Sequence, residues 1–420
     1  MESSRKIRLK DYDWLSLSLY GLIVTTGLAL LYSIDAAHGF RTSYFQKQSV
    51  WAALSLAAFI LIYTADLKKI KEWSSLLYLG GLLLLAGLFV FGKEISGAKS
   101  WYRMGGIGFQ PSELMKLAVA LGLGKLLGEK GFDLKEPKYM LQSLLLLAVP
   151  VILILLQPDL GSVLTFGAFI LVLYREGVSG WYLFPFLWMA FLFIVSIKLN
   201  PRIVEAWLVA TFVFSSLLIY WKIKRHRWNY IALVGIFIFL SVGFIEFSSF
   251  VYTRVLRPHQ QKRIALLLGK VHDDKGVGYH LKQSLIAVSN GGLKGQGFMQ
   301  GVQLRGNYIP EQHTDYIFTA LAEQAGFIGS VAFLLLYVIF IVRLFMLAER
   351  QKQIFSRVTG YSLAALLTMH LFINIMMVIG LFPVVGIPVI FVSYGGTSFL
   401  IFSVFLFLFL KMDAKRIEEL

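Results

Sequence analysis

Runs of about twenty apolar residues, repeated along the chain, restrict this sequence more than any other feature. A run of that length crosses a bilayer as a helix. In lipid only helices and closed barrels satisfy their own backbone. Such runs begin near Trp14, Trp51, Ser74, Pro111, Met140, Leu160, Trp181, Val204, Tyr230, Tyr316, Tyr361 and Gly396. The expectation is an all-α, polytopic membrane protein of about twelve transmembrane helices, the runs from Leu160 and Gly396 being the shortest. The chain is 57% hydrophobic and 15% charged, whereas soluble domains are about a quarter charged. It has no cysteine, which excludes disulfides, thiolate metal sites and cysteine nucleophiles.

The net charge of +16 is scattered through loops and forms no stripe with interleaved aromatics. It therefore reports membrane orientation and not nucleic-acid binding. Arg5, Lys6, Arg8 and Lys10 precede the first run without a cleavage site, so that run reads as a transmembrane helix with a cytoplasmic N-terminus. Basic loops recur at Lys68, Lys69 and Lys71, at Lys130, Lys135 and Lys138, in "KIKRHR" (222–227), and at Arg350, Lys352 and Arg357. Lys411, Lys415 and Arg416 then place the C-terminus on the same side. The outer face receives "GKEISGAKSWYRMGGIGFQPSE", "QPDLGS", a long loop over about 248–315, and "GLFPVVGIPVIFVSYGGTS". The long loop carries Arg254, Arg257, Lys262, Arg263 and Lys282, among others. Long loops escape the positive-inside rule, yet a basic outer surface still needs a reason.

Several constellations carry chemistry beside a plainer reading. In "GFQPSELMKLAV", Pro111 suits the first helical position and Gln110 the cap. Glu113 then lies in the first turn, where the dipole favours a carboxylate. Lys116 is on the same face, roughly 7 Å deeper than Pro111. An intramembrane lysine is costly and is paired or functional, and a Glu113–Lys116 pair satisfies both groups. Asp159 in "QPDLGS" reads as an N-cap, with sugar or metal binding left open. "GYHLKQSLIAVSNGGLKGQG" fits an interfacial helix followed by a flexible glycine turn, with Lys282 able to meet a lipid phosphate. His370 and Asn374 share a helix face, as inter-helix hydrogen-bonding partners or as part of a site. The prolines and glycines of "PVVGIPVIFVSYGGTS", with Ser393, Gly395 and Gly396, read as a re-entrant element beside a cavity. Glu311, His313 and Asp315 crowd the mouth of a span, and Thr319 and Glu323 continue that face inward at intervals of four. Acids and a histidine on such a face suggest a site.

Taken together, "GAKSW…FQPSELMKL", "QPDLGS", "GYHLKQSLIAVSNGGLKGQG", "PEQHTDYIF…AEQAGFIG" and "FPVVGIPVIFVSYGGTS" resemble the SEDS family of bacterial cell-wall polymerases (RodA, FtsW, SpoVE), in order along nearly the whole chain, and most resemble the RodA branch of cell elongation. The resemblance implies one SEDS domain over 1–420, with a core of about ten spans and a helical hairpin inserted at about 203–247. It implies a glycosyltransferase in the bacterial cytoplasmic (inner) membrane that polymerises lipid II at the extracytoplasmic face. A class B penicillin-binding protein and the elongation machinery are the implied partners. The family's essential aspartate matches Asp315, its tryptophan Trp101, its acid–lysine pair Glu113 and Lys116, and its "QPDLG" aspartate Asp159.

The residues suit that chemistry. Joining an α-linked sugar diphosphate to a β-1,4 polymer needs one in-line displacement. A diphosphate leaves without the acid a glycosidase requires, so one general base and cations around the phosphates suffice. Asp315 is the expected base. Lys116, Arg257, Arg263 and Arg103 are the expected phosphate partners, and a divalent cation (Mg or Mn) is able to share that work. Two other classes stay open: a lipid II flippase or other transporter, which many spans with buried ions also suit, and a scaffold that recruits a transpeptidase; a base at the outer rim is needed for chemistry but not for crossing the bilayer.

Overall fold

The computed structural model describes residues 8–95, 97–104, 107–223, 226–256, 258–267 and 276–416. By packing, the chain divides into two compact units, Met1–Gly177 with Asp273–Leu420, and Val178–His272.

In the larger unit α1 (Trp14–Ala37), α2 (Tyr44–Thr64) and α3 (Leu67–Phe91) lead into a small antiparallel sheet. Its strands are β1 (Lys93–Ile95), β2 (Ala98–Met104) and β3 (Ile107–Phe109), in that order. The sheet is absent from the sequence expectation. Its strands are too short and glycine-broken for a period-two signal. Then come α4 (Pro111–Leu127), α5 (Pro137–Leu156) and the short pair α6 (Leu160–Phe166) and α7 (Ala168–Arg175).

The second unit holds α8 (Leu183–Lys198), α9 (Pro201–Lys222), α10 (Arg227–Phe250) and α11 (Pro258–Leu267). It is therefore broader than the hairpin at 203–247. Leu192, Val204, Leu208, Ile238 and Ile245 form its core. Polar groups are paired inside it: Trp188 Nε1 donates to Ser241 Oγ at 3.0 Å, and the Ser196 and Ser248 hydroxyls meet at 3.0 Å.

The larger unit resumes with α12 (Val277–Gly291), α13 (Val302–Arg305), α14 (Ile317–Glu349), α15 (Ile354–Val378) and α16 (Gly396–Lys415). The long loop before Asp315 is thus partly helical.

Each of the twelve expected spans corresponds to helix. Among the described residues, however, nine helices are long and apolar enough to cross a membrane. The other three fall short in length: α4 has 17 residues, α8 has 16, and the run from Leu160 breaks at Gly167 into helices of 7 and 8. The count of twelve does not hold by length.

Burial locates the centre. The most apolar stretches of α15 and α16 are 72% and 78% buried, against 11% in α2. With α4, whose residues are nearly all enclosed, they form a central triplet, and the polar site is built at one end of it. The opposite end is tied by ion pairs: Arg343 with Asp13, Arg350 with Asp413, Arg357 with Glu176, and Arg175 with Glu349.

One long helix is broken. Gly326 interrupts α14 at φ 65° and ψ −164°, a conformation that only glycine adopts readily. The break frees backbone groups on both sides, and membrane depth offers no water for them. The segment 291–297 fills the gap. Gln296 N and Gly297 N donate to the carbonyls of Glu323 and Gln324 at 2.9 and 3.0 Å. Phe327 N and Ile328 N donate to the carbonyls of Gly292 and Leu293 at 2.8 and 3.1 Å. The stretch expected to be a flexible turn is a backbone splice.

Candidate active site

Asp315 stands two residues before α14, half-buried, at the helix end that favours negative charge. Its loop is held through three consecutive carbonyls. The carbonyl of His313 accepts from Tyr394 N at 2.9 Å. That of Thr314 accepts from Ser393 Oγ at 2.7 Å, and that of Asp315 from Asn374 Nδ2 at 2.7 Å. Two of these donors belong to the irregular segment 382–395 between α15 and α16. The third is on α15. Ser393 Oγ also accepts from Val389 N at 3.0 Å. Next along the chain, Gly395 N donates to Gln48 Oε1 at 3.3 Å, and Gly396 packs on the Trp51 ring of α2. The segment foreseen as irregular from its prolines and glycines therefore frames the Asp315 loop.

The segment also passes beneath the carboxylate. Gly386 has φ +75°, and a Cβ there would lie 3.1 Å from Asp315 Oδ2. Beside it, a Cβ on Gly161 would be 2.8 Å from the carbonyl of Val385. The start of α6 thus abuts the same segment. Asp159 is the α6 N-cap, as the plainer reading had it: Oδ1 accepts from Ser162 N at 3.0 Å. Oδ2 accepts from Ser162 Oγ and Gln110 Nε2, both at 2.9 Å. Gln110 is itself the cap of α4, with Pro111 at the first position. One carboxylate therefore ties together the starts of two helices.

Below the loop lies a buried triad. Lys116 Nζ is 2.7 Å from Glu113 Oε1 and 3.0 Å from His370 Nε2. It also stands 5.8 Å from the centre of the Phe402 ring. His370 Nδ1 lies 3.2 Å from the carbonyl of Pro388. A carbonyl only accepts, so Nδ1 carries the proton and Nε2 accepts from the lysine. Lys116 is 1% exposed. Its ammonium is paired within this triad, as the Glu113–Lys116 spacing led one to expect, with His370 as a further partner.

Around Asp315 the acid–histidine crowd resolves into separate jobs. Glu311 is exposed, and its Oε2 accepts from Thr314 Oγ1 at 3.0 Å. His313 stacks on Tyr44 with ring centres 3.9 Å apart and lies 5.9 Å from Tyr394. Burial holds its imidazole below the usual histidine range, against the opposing pull of Glu311 and Asp35. Asp35 was not foreseen. Its buried carboxylate receives Thr42 Oγ1 at 2.6 Å and Phe45 N at 2.8 Å, fixing the turn that presents Tyr44. An acid at the end of the first span was the available signal.

Glu323 is not brought to Asp315. It is fully buried, and its oxygens accept from Gln303 N at 2.7 Å and Leu304 N at 3.1 Å, capping α13. Thr319 donates to the carbonyl of Tyr316 at 2.5 Å. Thr319 and Glu323 keep their spacing of four on the buried side of α14, each with a partner of its own.

Trp101 and Arg103 lie on β2. The Trp101 ring covers Gly108 of β3, and Arg103 is exposed. Lys282 is exposed on α12. Arg263 is half-buried in the second unit, and Arg257 lies outside the described residues. Among the described residues no group of three or more His, Asp or Glu is placed to hold a metal ion. A separate apolar groove of about 200 Å³, lined by Thr26, Leu30, Phe298, Leu321 and Ala325 among others, contains none of these groups.

The fold and site define a polytopic helical membrane protein whose acidic centre is framed by the irregular segment 382–395 at one end of the bundle. The FtsW/RodA/SpoVE family model, described as a cell cycle protein, matches residues 9–222 and 185–417. Both matches include residues 185–222, within the second unit. The peptidoglycan glycosyltransferase RodA of Treponema pallidum is 27% identical over 418 residues, covering 93% of this chain and 94% of its own. The peptidoglycan glycosyltransferase MrdB of Escherichia coli K12 is 30% identical over 388 residues, 92% of this chain and 88% of its own. The crystal structure of Thermus thermophilus rod shape determining protein RodA aligns with a TM-score of 0.62 at 25% identity, over 96% and 97% of the two chains. A chain of a peptidoglycan synthase complex solved for its coordination of polymerization and crosslinking aligns at 0.67 and 26% identity, over 96% and 98%. The chain belongs to the FtsW/RodA/SpoVE family, the SEDS peptidoglycan glycosyltransferases.

Proposed function

We propose that this chain polymerises lipid II into β-1,4 glycan strands for cell elongation, at the extracytoplasmic face of the bacterial cytoplasmic membrane, with Asp315 as general base. The observation that carries the reading is the hold on Asp315. Its main chain is pinned by Asn374 while Gly386 leaves the space against Oδ2 without a side chain. A base must lie within hydrogen-bond reach of the proton it takes, and fixed geometry supplies much of the rate.

In this reading the 4-hydroxyl oxygen of the acceptor sugar attacks C1 of the donor. Its proton passes to the Asp315 carboxylate as the new C1–O4 bond forms. The C1–O bond to the diphosphate breaks, and undecaprenyl diphosphate leaves with the electron pair. Inversion turns the α-linkage into β. The leaving diphosphate needs cations, and the exposed Arg103 and Lys282 are proposed for that. Glu113, Lys116 and His370 act beneath the loop and do not touch substrate.

Purified protein should polymerise lipid II in detergent, and Asp315→Asn should abolish this in a folded protein. Unchanged chain formation by that variant would refute the assignment and leave lipid transport or scaffolding. A class B transpeptidase is the proposed partner, by analogy with the solved synthase complex. Co-purification from the native membrane tests it. Depletion that rounds the cells supports the elongation role, and depletion that yields filaments assigns the chain to division.

A further inference from the structure

Resting on the reading of Asp315 as the base, we infer that Asn374 is a positioning residue that sets where the Asp315 carboxylate stands relative to the re-entrant segment. Both hydrogens of its amide are spent on main-chain carbonyls of different segments: Asp315 at 2.7 Å and Ile387 at 2.6 Å. One rigid planar group therefore fixes the spacing between the carboxylate's own residue and the strand beneath it. The neighbours on that strand are fixed in the same register. Gly386 faces Asp315 Oδ2, and Pro388 is tied to His370, one turn before Asn374 on the same helix face. His370 is in turn anchored by Lys116.

Asn374 is fully buried, and among the described residues its Oδ1 meets no hydrogen-bond partner. Such an orphan is costly and calls for an explanation. The amide is oriented for its two donors at the expense of its acceptor, and one of those donors reaches the residue whose carboxylate must be placed. A misplacement near 1 Å in a catalytic group costs about 10²-fold in rate.

The test uses the full-length protein in detergent with lipid II as probe. Asn374→Ala removes both donors, and Asn374→Ser keeps one. The expected result is a fall in kcat of about 10- to 100-fold for Asn374→Ala and a smaller fall for Asn374→Ser. KM should stay within about twofold and the melting temperature within a few degrees, since the loss is confined to the transition state. Full kcat in Asn374→Ala would overturn the inference. So would kcat and KM worsening together in step with lost folded protein in both variants, or failure of both to fold, each of which marks Asn374 as a residue of the fold alone. Asp315→Asn, run in parallel, separates the two claims. If it still polymerises, the base assignment fails. If it is inactive while Asn374→Ala is fully active, only the positioning role fails.

Discussion

Lys116 and His370, 254 residues apart in sequence, meet at 3.0 Å inside the central helix triplet, with Glu113 2.7 Å from the same ammonium. The contact joins α4 to α15 at the level where α15 holds the re-entrant segment. A buried ion pair contributes little net stability, but breaking it strands a charge.

Lys116→Met should therefore destabilise by about 3–5 kcal/mol, because it leaves the Glu113 carboxylate buried alone. Adding Glu113→Gln should recover much of that loss. Thermal unfolding in detergent of the two single variants and the double variant measures the coupling. Simple additivity of the two changes would show that the pair is not the source of the loss.

The histidine of the Asp315 loop gives a pH dependence. Burial depresses the His313 pKa below its ordinary value of 6.5. A group with a lowered folded pKa contributes stability above the unfolded value and loses it as pH falls through the folded one. The wild type should thus lose stability below about pH 6.5, and His313→Gln should lose less over the same range. Parallel melts between pH 8 and pH 5 decide it, and identical slopes count against the claim.

Glu323→Gln keeps the shape of the α13 cap but turns one acceptor into a donor facing backbone N–H groups. A cost of about 1–3 kcal/mol follows, with the damage local to residues 301–305. Hydrogen exchange at the amides of Gln303 and Leu304 should quicken. Exchange rising first around Asp315 instead would mean that Glu323 supports the site directly.

Gly326→Ala places a methyl 2.2 Å from the amide nitrogen of Gly295 in a backbone conformation reserved for glycine. The cost should exceed about 3 kcal/mol, and limited proteolysis should cut within 291–297. A protein that keeps the wild-type melting temperature and proteolytic pattern would disprove the splice.

Much of this was legible where neighbours in sequence are neighbours in space. The Gln110–Pro111 helix start, the Glu113–Lys116 pair three residues apart and the Asp159 cap all follow from helix geometry. The re-entrant segment followed from its prolines and glycines. What sequence could not yield depends on long-range partners. Glu323 shares a helix face with Asp315 by spacing, yet Gln303 and Leu304 claim it from another segment. Lys116 read as the partner of Glu113 and of a phosphate, because nothing local announces His370. The break at Gly326 is hidden inside a largely apolar helical run, since hydropathy carries no record of a positive φ.

The splice at Gly326 has a consequence for assembly. Residues 317–325 are too few to hold a helix unaided, since isolated helices below about 12–15 residues are marginal. Their closure is supplied by residues 291–297, from an earlier part of the chain. The pedestal of the candidate base is therefore not a property of its own span. Closing the break in that span takes main chain from the glycine loop, through the bonds of Gly292, Leu293, Gln296 and Gly297. Lesions in that loop should consequently leave a protein of normal abundance and topology whose catalytic end never closes.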